Sequence, residues 1–329
     1  MAAGAPPLLE VRDLKVSFNT EDGIVRAVEG VSFTLRQGEV LGIVGESGSG
    51  KSVTMMSVLR LINDPNARFE GEVLYKGRSV MDLPDDRMRE VRGGEIAMIF
   101  QDPMTSLNPV YKVADQIIEA IVTHQAIGKA AARARAIDLL KQVGIPQAER
   151  RADDFPHQFS GGMRQRAMIA MALANNPDIL IADEPTTALD VTIQAQILEL
   201  MRKLREESGA AVILITHDLG VVAEVCDEVV VMYAGQVVER ASVDDLFRFP
   251  EHPYTVGLLG ALPRLERRRP RLAAIEGTVP NMTAPPQGCR FQARCPFRIP
   301  KCAEMPPLEA VAGGHLSRCW RAPLERLVA

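Results

Sequence analysis

The sequence lacks the features that mark several large classes of protein. Its 329 residues carry a net charge of −4, so it shows no excess of positive charge of the kind that binds nucleic acid. The segment Met1–Pro7 lacks the charged and apolar regions of a signal peptide. No apolar run approaches the roughly 20 residues that a membrane-spanning helix needs. We therefore expect a cytosolic protein without a nucleic-acid partner, attached to a membrane only through other proteins.

A glycine-rich turn separates a strand pattern, Glu39–Val44, from a helix pattern, Val53–Ile62. The turn follows the motif G-x-x-x-x-G-K-S and comprises Gly45, Glu46, Ser47, Gly48, Ser49, Gly50, Lys51 and Ser52. Glycines let backbone N–H groups close around an anion, and the helix N-terminus adds partial positive charge. We expect Lys51 to reach the β- and γ-phosphates of a nucleoside triphosphate, and the Ser52 hydroxyl to ligate Mg²⁺.

Two further strand patterns end in polar side chains, at the sheet edge where α/β proteins bind ligands. Gln101 follows Glu95–Phe100 and is either a solvated loop residue or a contact to Mg²⁺ or the attacking water. Asp183 and Glu184 follow the buried pattern Asp178–Ala182. Asp183 suits the Mg²⁺ shell, and Glu184 suits polarisation of the water that attacks the γ-phosphate.

Two ring side chains are candidates for contacts with the nucleotide. His217 ends the apolar strand pattern Ala211–Thr216, and we expect it to hydrogen-bond the γ-phosphate. Phe18 precedes the phosphate loop and either packs in the core or stacks on the adenine ring. Short β-forming segments around the loop predict an antiparallel β layer: Leu8–Phe18, Gly30–Leu35 and Val73–Leu74.

A second glycine pair opens a helix pattern, Met163–Ala174, with Ser160 at its N-cap. Gly161 and Gly162 leave free N–H groups at this helix start, which predicts a second anion site. The site has no lysine of its own. One phosphate loop, together with a second anion site that has no lysine, suggests that two chains share each nucleotide.

These motifs, in this order, resemble those of the ATP-binding subunits of ABC transporters over roughly Leu8 to Arg248. The matching residues are the phosphate loop, Gln101, the signature Ser160–Gln165, the strand that carries Asp183 and Glu184, Asp190, and His217. The resemblance implies that Gln165 and Asp190 belong to the nucleotide site. It also implies a head-to-tail dimer that encloses two ATP molecules, each between the phosphate loop of one subunit and the signature of the other.

Three segments resemble the bacterial dipeptide/oligopeptide importer subfamily, closest to the "D" ATPase of dipeptide permeases: Gln101–Pro109, Thr187–Gln196 and Met232–Glu239. This resemblance implies an ATPase at the cytoplasmic face of the inner membrane that powers peptide uptake. Its implied partners are a second ATPase subunit, either a paralogue or another copy, two transmembrane permease subunits and, indirectly, an extracytoplasmic solute-binding protein. Nickel importers share much of the pattern, so a nickel or other small-solute importer remains an alternative.

Two other classes fit the sequence poorly. A soluble ABC ATPase acting on DNA or ribosomes is disfavoured, because the chain has no long coiled coil, second cassette or basic bias. A signalling GTPase is disfavoured because no N-K-x-D motif, which reads guanine, occurs.

Beyond Pro250 the composition changes to a basic run, Arg264–Arg271, and then a proline-rich tract. Four of the five cysteines follow with the spacing C-x5-C-x6-C-x16-C: Cys289, Cys295, Cys302 and Cys319. In a reducing cytosol such a cluster favours a metal site over disulfides. The subfamily carries this extension, and the four cysteines resemble the ligands of a [4Fe–4S] cluster. Zinc, or no metal, remains an alternative, whereas Cys226 is expected to pack in the core.

The predicted fold is therefore a RecA-like α/β ATPase domain over residues 8–250, with an antiparallel β layer. Helical spacing over Val113–Val143 predicts a helical subdomain within it. Residues 251–329 form a small extension that is expected to depend on its four-cysteine metal site.

Overall fold

A computed structural model describes residues 6–102, 106–185, 191–262 and 275–324 of the chain. The chain divides into two compact units. The first comprises Met1–Arg36, Val40–Met81 and Thr216–Ala329, and the second comprises Gln37–Glu39 and Asp82–Ile215.

The elements follow in chain order. The first unit begins with β1 (Leu9–Thr20), β2 (Gly23–Leu35), β3 (Val40–Val44), α1 (Lys51–Val58), β4 (Ala67–Tyr75) and β5 (Arg78–Ser79). The second unit contains α2 (Asp85–Glu90), β6 (Ile96–Ile99), α3 (Val113–His124), α4 (Lys129–Gln142), α5 (Ala148–Arg151), α6 (Gly161–Ala172), β7 (Ile179–Asp183), α7 (Val191–Ser208) and β8 (Ala211–Thr216). The first unit then resumes with α8 (Leu219–Val225), β9 (Glu228–Tyr233), β10 (Gln236–Ser242), α9 (Val243–Arg248), α10 (Pro253–Gly260), β11 (Glu309–Ala312) and β12 (His315–Ser317).

The first unit contains the predicted antiparallel layer, in the strand order β2-β1-β4-β5. Its strands are longer than the sequence pattern indicates, because β1 pairs with β2 out to Thr20↔Gly23 and with β4 out to Phe18↔Ala67. In the same unit β3 pairs in parallel with β9, β9 is antiparallel to β10, and β12 joins β10 to the short β11.

The second unit has a parallel core of β6, β7 and β8. All five residues of β7 are buried, which explains its continuous apolar run. The predicted helical stretch Val113–Val143 forms two helices, α3 and α4, which Gln125–Gly128 separates. The α3 helix buries one face, including Ile117 and Ile121, as its amphipathic pattern indicates.

Helix α1 is shorter than its sequence pattern. The pattern extends to Ile62, but the helix ends at Val58 because Leu59 already leaves helical geometry and Arg60 has a positive φ of 49°. Apolar periodicity thus continues past the last helical turn, since Leu59 is buried although it lies outside the helix.

Candidate nucleotide site

The phosphate loop lies between β3 and α1 in the first unit, as predicted. Gly45 and Gly50 have φ values of 155° and 97°. A Cβ atom at Gly45 would lie 2.2 Å from the Met232 carbonyl oxygen, and one at Gly50 would lie 2.6 Å from that of Ala27. Both positions therefore require glycine, because the Cβ atom of any larger residue would overlap backbone atoms, and the backbone would have to move.

Lys51 is the first residue of α1, and its side chain folds back along the loop. Its ammonium donates to the carbonyl oxygens of Gly45 and Glu46, at 2.8 and 3.0 Å. The loop is otherwise accessible at Ser47 and Gly48, whereas Ser49 and Gly50 are buried. Backbone N–H groups at a helix start, with a cation beside them, can bind an anion such as a triphosphate.

The two ring candidates also lie in the first unit. His217 is exposed and directly precedes Asp218, whose side chain caps α8 by accepting from the N–H of Gly220 at 2.8 Å. Phe18 is half-buried near the end of β1. The predicted contacts of His217 with the γ-phosphate and of Phe18 with the adenine stay predictions.

In the second unit the strand ends bring two predicted catalytic residues together. The parallel register pairs Ile99 with Ala182 and Asp183 with Ile215, so the residues after β6 and β7 meet at one edge. There the Gln101 amide nitrogen Nε2 donates to Glu184 Oε2 at 2.9 Å. This contact fixes the carboxylate that the sequence assigns to the attacking water.

Glu184 has an unusual backbone conformation for a residue with a side chain. Its φ is 47°, in the left-handed region, and its N–H donates to the Ile215 carbonyl at 2.9 Å. Such a conformation costs on the order of 1–3 kcal/mol and persists where the surroundings fix it, which occurs often at active sites. Pro185 follows, and a residue before proline is disfavoured in the right-handed helical region.

Three predicted magnesium ligands carry hard oxygen donors. Asp183 is buried with 5% of its surface exposed, Ser52 is half-buried and Gln101 is exposed. Carboxylate, hydroxyl and amide oxygens are the donors that Mg²⁺ prefers, so the donor set fits this ion.

The signature segment begins α6 in the second unit. The Ser160 hydroxyl accepts from the Met163 N–H at 3.3 Å, which confirms the predicted N-cap. Ser160 and Gly161 are exposed, and Gly162 lies beneath them near Ile193. Gln165 differs, because only 2% of it is exposed and its Nε2 has no hydrogen-bond partner among the described residues.

Gln165 is therefore buried within α6, and its predicted contact with a nucleotide stays a prediction. Asp190, the other residue that the family resemblance adds to the site, lies outside the described residues.

The four C-terminal cysteines line one small cavity in the first unit. Burial raises the pKa of Cys289 and of Cys319 to about 11, so both sulfurs are neutral thiols at neutral pH. In the described part of the chain no three His, Cys, Asp or Glu side chains form a group that could hold a metal ion. The cysteine-based metal site therefore stays a prediction, although the four cysteines line one cavity. Cys226 is buried at the end of α8, as predicted.

One contact of the phosphate loop was not predicted from the sequence. Arg294, which directly precedes Cys295, forms a two-bond ion pair with Glu46. The N–H of Glu46 also donates to the Tyr254 hydroxyl at 2.8 Å. Arg294 is one of several arginines in the extension. Nothing in their charge or spacing singles it out or assigns its partner.

Comparison with known proteins identifies the family. The model of the ABC transporter family matches residues 28–187, and the model of the oligopeptide/dipeptide transporter C-terminal region matches residues 238–302. A relative from Sinorhizobium fredii, named a probable peptide ABC transporter ATP-binding protein, is 55% identical over 96% of this chain and 95% of its own length. The chain belongs to the ABC transporter ATP-binding proteins.

Other relatives fall in the same branch of the family. The oligopeptide transport ATP-binding protein OppD of Bacillus subtilis is 55% identical over 95% of this chain and 88% of its own. The dipeptide transport ATP-binding protein DppD of that species is 52% identical, over 95% and 94%. A solved dimeric ATP-binding cassette bound to ADP and Pi is 31% identical and covers 71% of this chain and 98% of its own, with a TM-score of 0.64.

These likenesses confirm the ABC cassette fold and the assignment as an ATPase coupled to transport. ATP and Mg²⁺ are accordingly its expected ligands. Among the described residues no helix is both long and apolar enough to pass through a membrane.

Proposed function

We propose that this chain is the ATP-hydrolysing subunit of an importer that takes up dipeptides or oligopeptides across the cytoplasmic membrane. The observation that carries the proposal is that two separate comparisons, one over the whole chain and one over its C-terminal part, both point to peptide transport. Relatives named for peptide and dipeptide transport match almost its whole length at more than 50% identity, and its C-terminal part matches the oligopeptide/dipeptide region separately.

The chemistry assigned to the site is hydrolysis of ATP. Lys51 and the N–H groups of the phosphate loop would hold the phosphates. Ser52, Asp183 and Gln101 are assigned to Mg²⁺, which would supply neutralisation of phosphate charge. Glu184 orients and polarises the attacking water, with its carboxylate fixed by Gln101. His217 would donate to the γ-phosphate.

The test of this assignment is Glu184→Gln, which keeps the shape of the side chain and removes the base. We expect ATP binding to persist and turnover to fall by a factor on the order of 10²–10⁴, the usual scale for loss of a general base. Lys51→Ala is the paired variant and should weaken ATP binding itself. Hydrolysis at a near wild-type rate by Glu184→Gln would contradict the assignment.

The proposed partners follow from the second anion site, at the start of α6, which lacks a lysine of its own. Ser160 and Gly161 are exposed at the start of α6, and the signature Ser160–Gln165 contains no lysine, so we assign them to the nucleotide site of a second ATPase subunit. Two membrane-embedded permease subunits and, through them, an external solute-binding protein would complete the importer, with this chain peripheral on the cytoplasmic side. Whether the second ATPase is a copy or a paralogue is decided by which chains co-purify from membranes.

A surface for the permease subunits is proposed on the second unit. A groove there is lined by residues of β6, α3 and α6 and by the segment after Gln101, among them Asn108 and Tyr111. Beside it the apolar Val110 and Tyr111 are 71% and 57% exposed, which is unusual for large apolar side chains. A photo-crosslinker at Val110 should capture a permease subunit, whereas one at the exposed Glu206 of α7 should not.

The cysteine cavity is proposed to hold a [4Fe–4S] cluster on Cys289, Cys295, Cys302 and Cys319. Four thiols suit iron–sulfur clusters, with zinc as the alternative. The raised pKa values of Cys289 and Cys319 mean that binding must remove the protons of these two thiols. The extension is short, and ligation would supply folding energy that its small core lacks. Anaerobically purified protein should be brown and contain about four iron atoms per chain. Colourless protein with one zinc, or without metal, would contradict the cluster.

A test of which solute is transported requires the whole complex. In vesicles with the permease subunits and binding protein, dipeptides or short oligopeptides should stimulate ATP hydrolysis, and Glu184→Gln should abolish the stimulation. Stimulation by nickel but not by peptides would indicate the alternative importer. Purification without any membrane subunit would favour a soluble factor.

A further inference from the structure

The C-terminal extension reaches the phosphate loop through Arg294. Both terminal nitrogens of the guanidinium donate to the Glu46 carboxylate, with N–O distances of 2.7 and 3.0 Å. Only 6% of the Arg294 side chain is exposed, against 27% for Glu46. Two parallel bonds from one guanidinium are the strong and directional form of an ion pair.

Arg294 is held in place independently of Glu46. Its Nε donates to the Glu276 carbonyl at 2.9 Å, and one terminal nitrogen also donates to the Ile275 carbonyl at 3.2 Å. The guanidinium lies over the rings of Tyr233 and Phe291, 5.7 and 6.0 Å from their centroids. Hydrogen bonding to Glu46 raises the pKa of Arg294, so the charge is permanent. Arg294 therefore presents a fixed cation to the loop.

Glu46 connects Arg294 to Lys51, the lysine assigned to the phosphates. Its carbonyl oxygen accepts from the Lys51 ammonium at 3.0 Å and from the Ser49 N–H at 3.1 Å. Its own N–H donates to the Tyr254 hydroxyl. The residue is thus bonded to the C-terminal part of the chain through its side chain and N–H, and to Lys51 through its carbonyl.

We propose that Arg294 is a positioning residue of the nucleotide site, which neutralises Glu46 and fixes the loop conformation in which Lys51 meets the phosphates. The inference rests on the proposed binding of ATP by this loop. Without Arg294, an uncompensated carboxylate would lie next to the triphosphate, and like charges at short range disfavour binding. The extension would then be part of the nucleotide site and not only an appendage to it.

The test measures binding of a non-hydrolysable ATP analogue to the purified full-length chain. Arg294→Gln should weaken binding roughly tenfold at low salt, with a smaller effect at high salt because mobile ions screen the exposed charge. Glu46→Gln, which keeps the length of the side chain and removes its charge, should weaken binding less than Arg294→Gln does. The double variant should recover binding to within about threefold of wild type, because the repulsive carboxylate is gone. In steady-state hydrolysis, Arg294→Gln should raise KM far more than it lowers kcat.

Arg318→Gln is the matched control. Arg318 is also a half-buried arginine of the extension, but it donates to the carbonyls of Val237 and Pro306 and not to the loop. It should leave binding of the analogue within about twofold. Glu46→Asp, which keeps the charge but shortens the side chain, tests the contact without touching the extension and should weaken binding about threefold.

The outcomes separate this inference from the proposed function. A wild-type chain that does not bind the analogue contradicts both. A wild-type chain that binds it, with Arg294→Gln or Glu46→Asp equal to wild type, contradicts only the role of Arg294. Loss of binding in Arg294→Gln that Glu46→Gln fails to restore also contradicts it, since the effect would then be general damage to the extension.

Discussion

Two glycine-rich turns of the chain each precede a helix, and they differ in whether the backbone conformation and the surrounding space require glycine. Gly50, before α1, has a φ of 97° and no room for a Cβ atom. Gly161, at the start of α6, does not have a positive φ, and no described atom lies within 4 Å of where its Cβ would be. The fold of this chain therefore requires glycine at 50 but not, as far as the described residues show, at 161.

This difference indicates where each turn meets its ligand. The phosphate loop is bonded to its surroundings on several sides: the Gly235 N–H donates to the Ser49 carbonyl at 3.0 Å, and Arg294 and Tyr254 hold Glu46. The turn at Gly161 is exposed and is held mainly by the Ser160 cap. A glycine that its own chain does not need is explained most simply by a close approach from outside, which supports the proposed second ATPase subunit.

The largest effect is expected at the first turn. Gly50→Ala places a Cβ atom against the Ala27 carbonyl in a left-handed conformation, so the loop must move. We expect nucleotide affinity to fall by a factor on the order of 10², the scale of losing charge-assisted hydrogen bonds to a phosphate. Gly48→Ala is the control, because its φ is 77° but no described atom lies within 4 Å of the added Cβ. Equal effects of the two substitutions would show that space around Gly50 is not what matters.

A smaller effect, visible only in the assembled ATPase pair, is expected at the second turn. Ser160→Arg should leave binding of ATP to the isolated chain within about twofold, because no residue of the phosphate loop changes. It should reduce hydrolysis by the pair on the order of 10², as loss of donors to a developing phosphate charge does. A mixed pair with one altered signature should lose activity at one site only. Unchanged hydrolysis at both sites would contradict the shared site.

The smallest effect concerns stability. Of the two helices that follow the glycine-rich turns, α1 and α6, only α6 has a side-chain cap at its N-terminus. Ser160→Ala removes the acceptor for the Met163 N–H and should lower the free energy of unfolding by about 1 kcal/mol, whereas Ser160→Gly should lower it by only a few tenths. Urea denaturation measures both. Helix α1 begins without such a cap, so Ser52→Ala should not show a loss of this kind. A comparable loss in Ser52→Ala would remove the distinction between the two helix starts.

The parts of the site that follow from local pattern were predictable. Gln101 and Glu184 are 83 positions apart, yet each lies within two residues of the end of a parallel strand. Parallel strands bring such positions to one edge of a sheet. The cap at Ser160 was predictable for the same reason, since a cap is a property of a few neighbouring residues.

The contact between Arg294 and Glu46 could not be predicted in this way. It joins residues 248 positions apart, and neither belongs to a strand or helix whose geometry would place it. Its partner depends on how the extension packs through Phe291 against Tyr233 and Tyr254, which is a property of tertiary structure. The end of α1 at Val58 was missed because buried Leu59 continues the apolar pattern beyond the helix.

The hairpin of β11 and β12 also has a consequence for the solubility of shortened chains. It pairs with β10 through Glu239↔Ser317 and Arg240↔Leu316, and so covers backbone groups that would otherwise be an open sheet edge. The outermost strand, β11, is only four residues long and mostly exposed, a form that resists pairing with other molecules. A chain cut before the hairpin would expose β10 and should aggregate by edge-to-edge pairing of strands, even if its ATPase core folds.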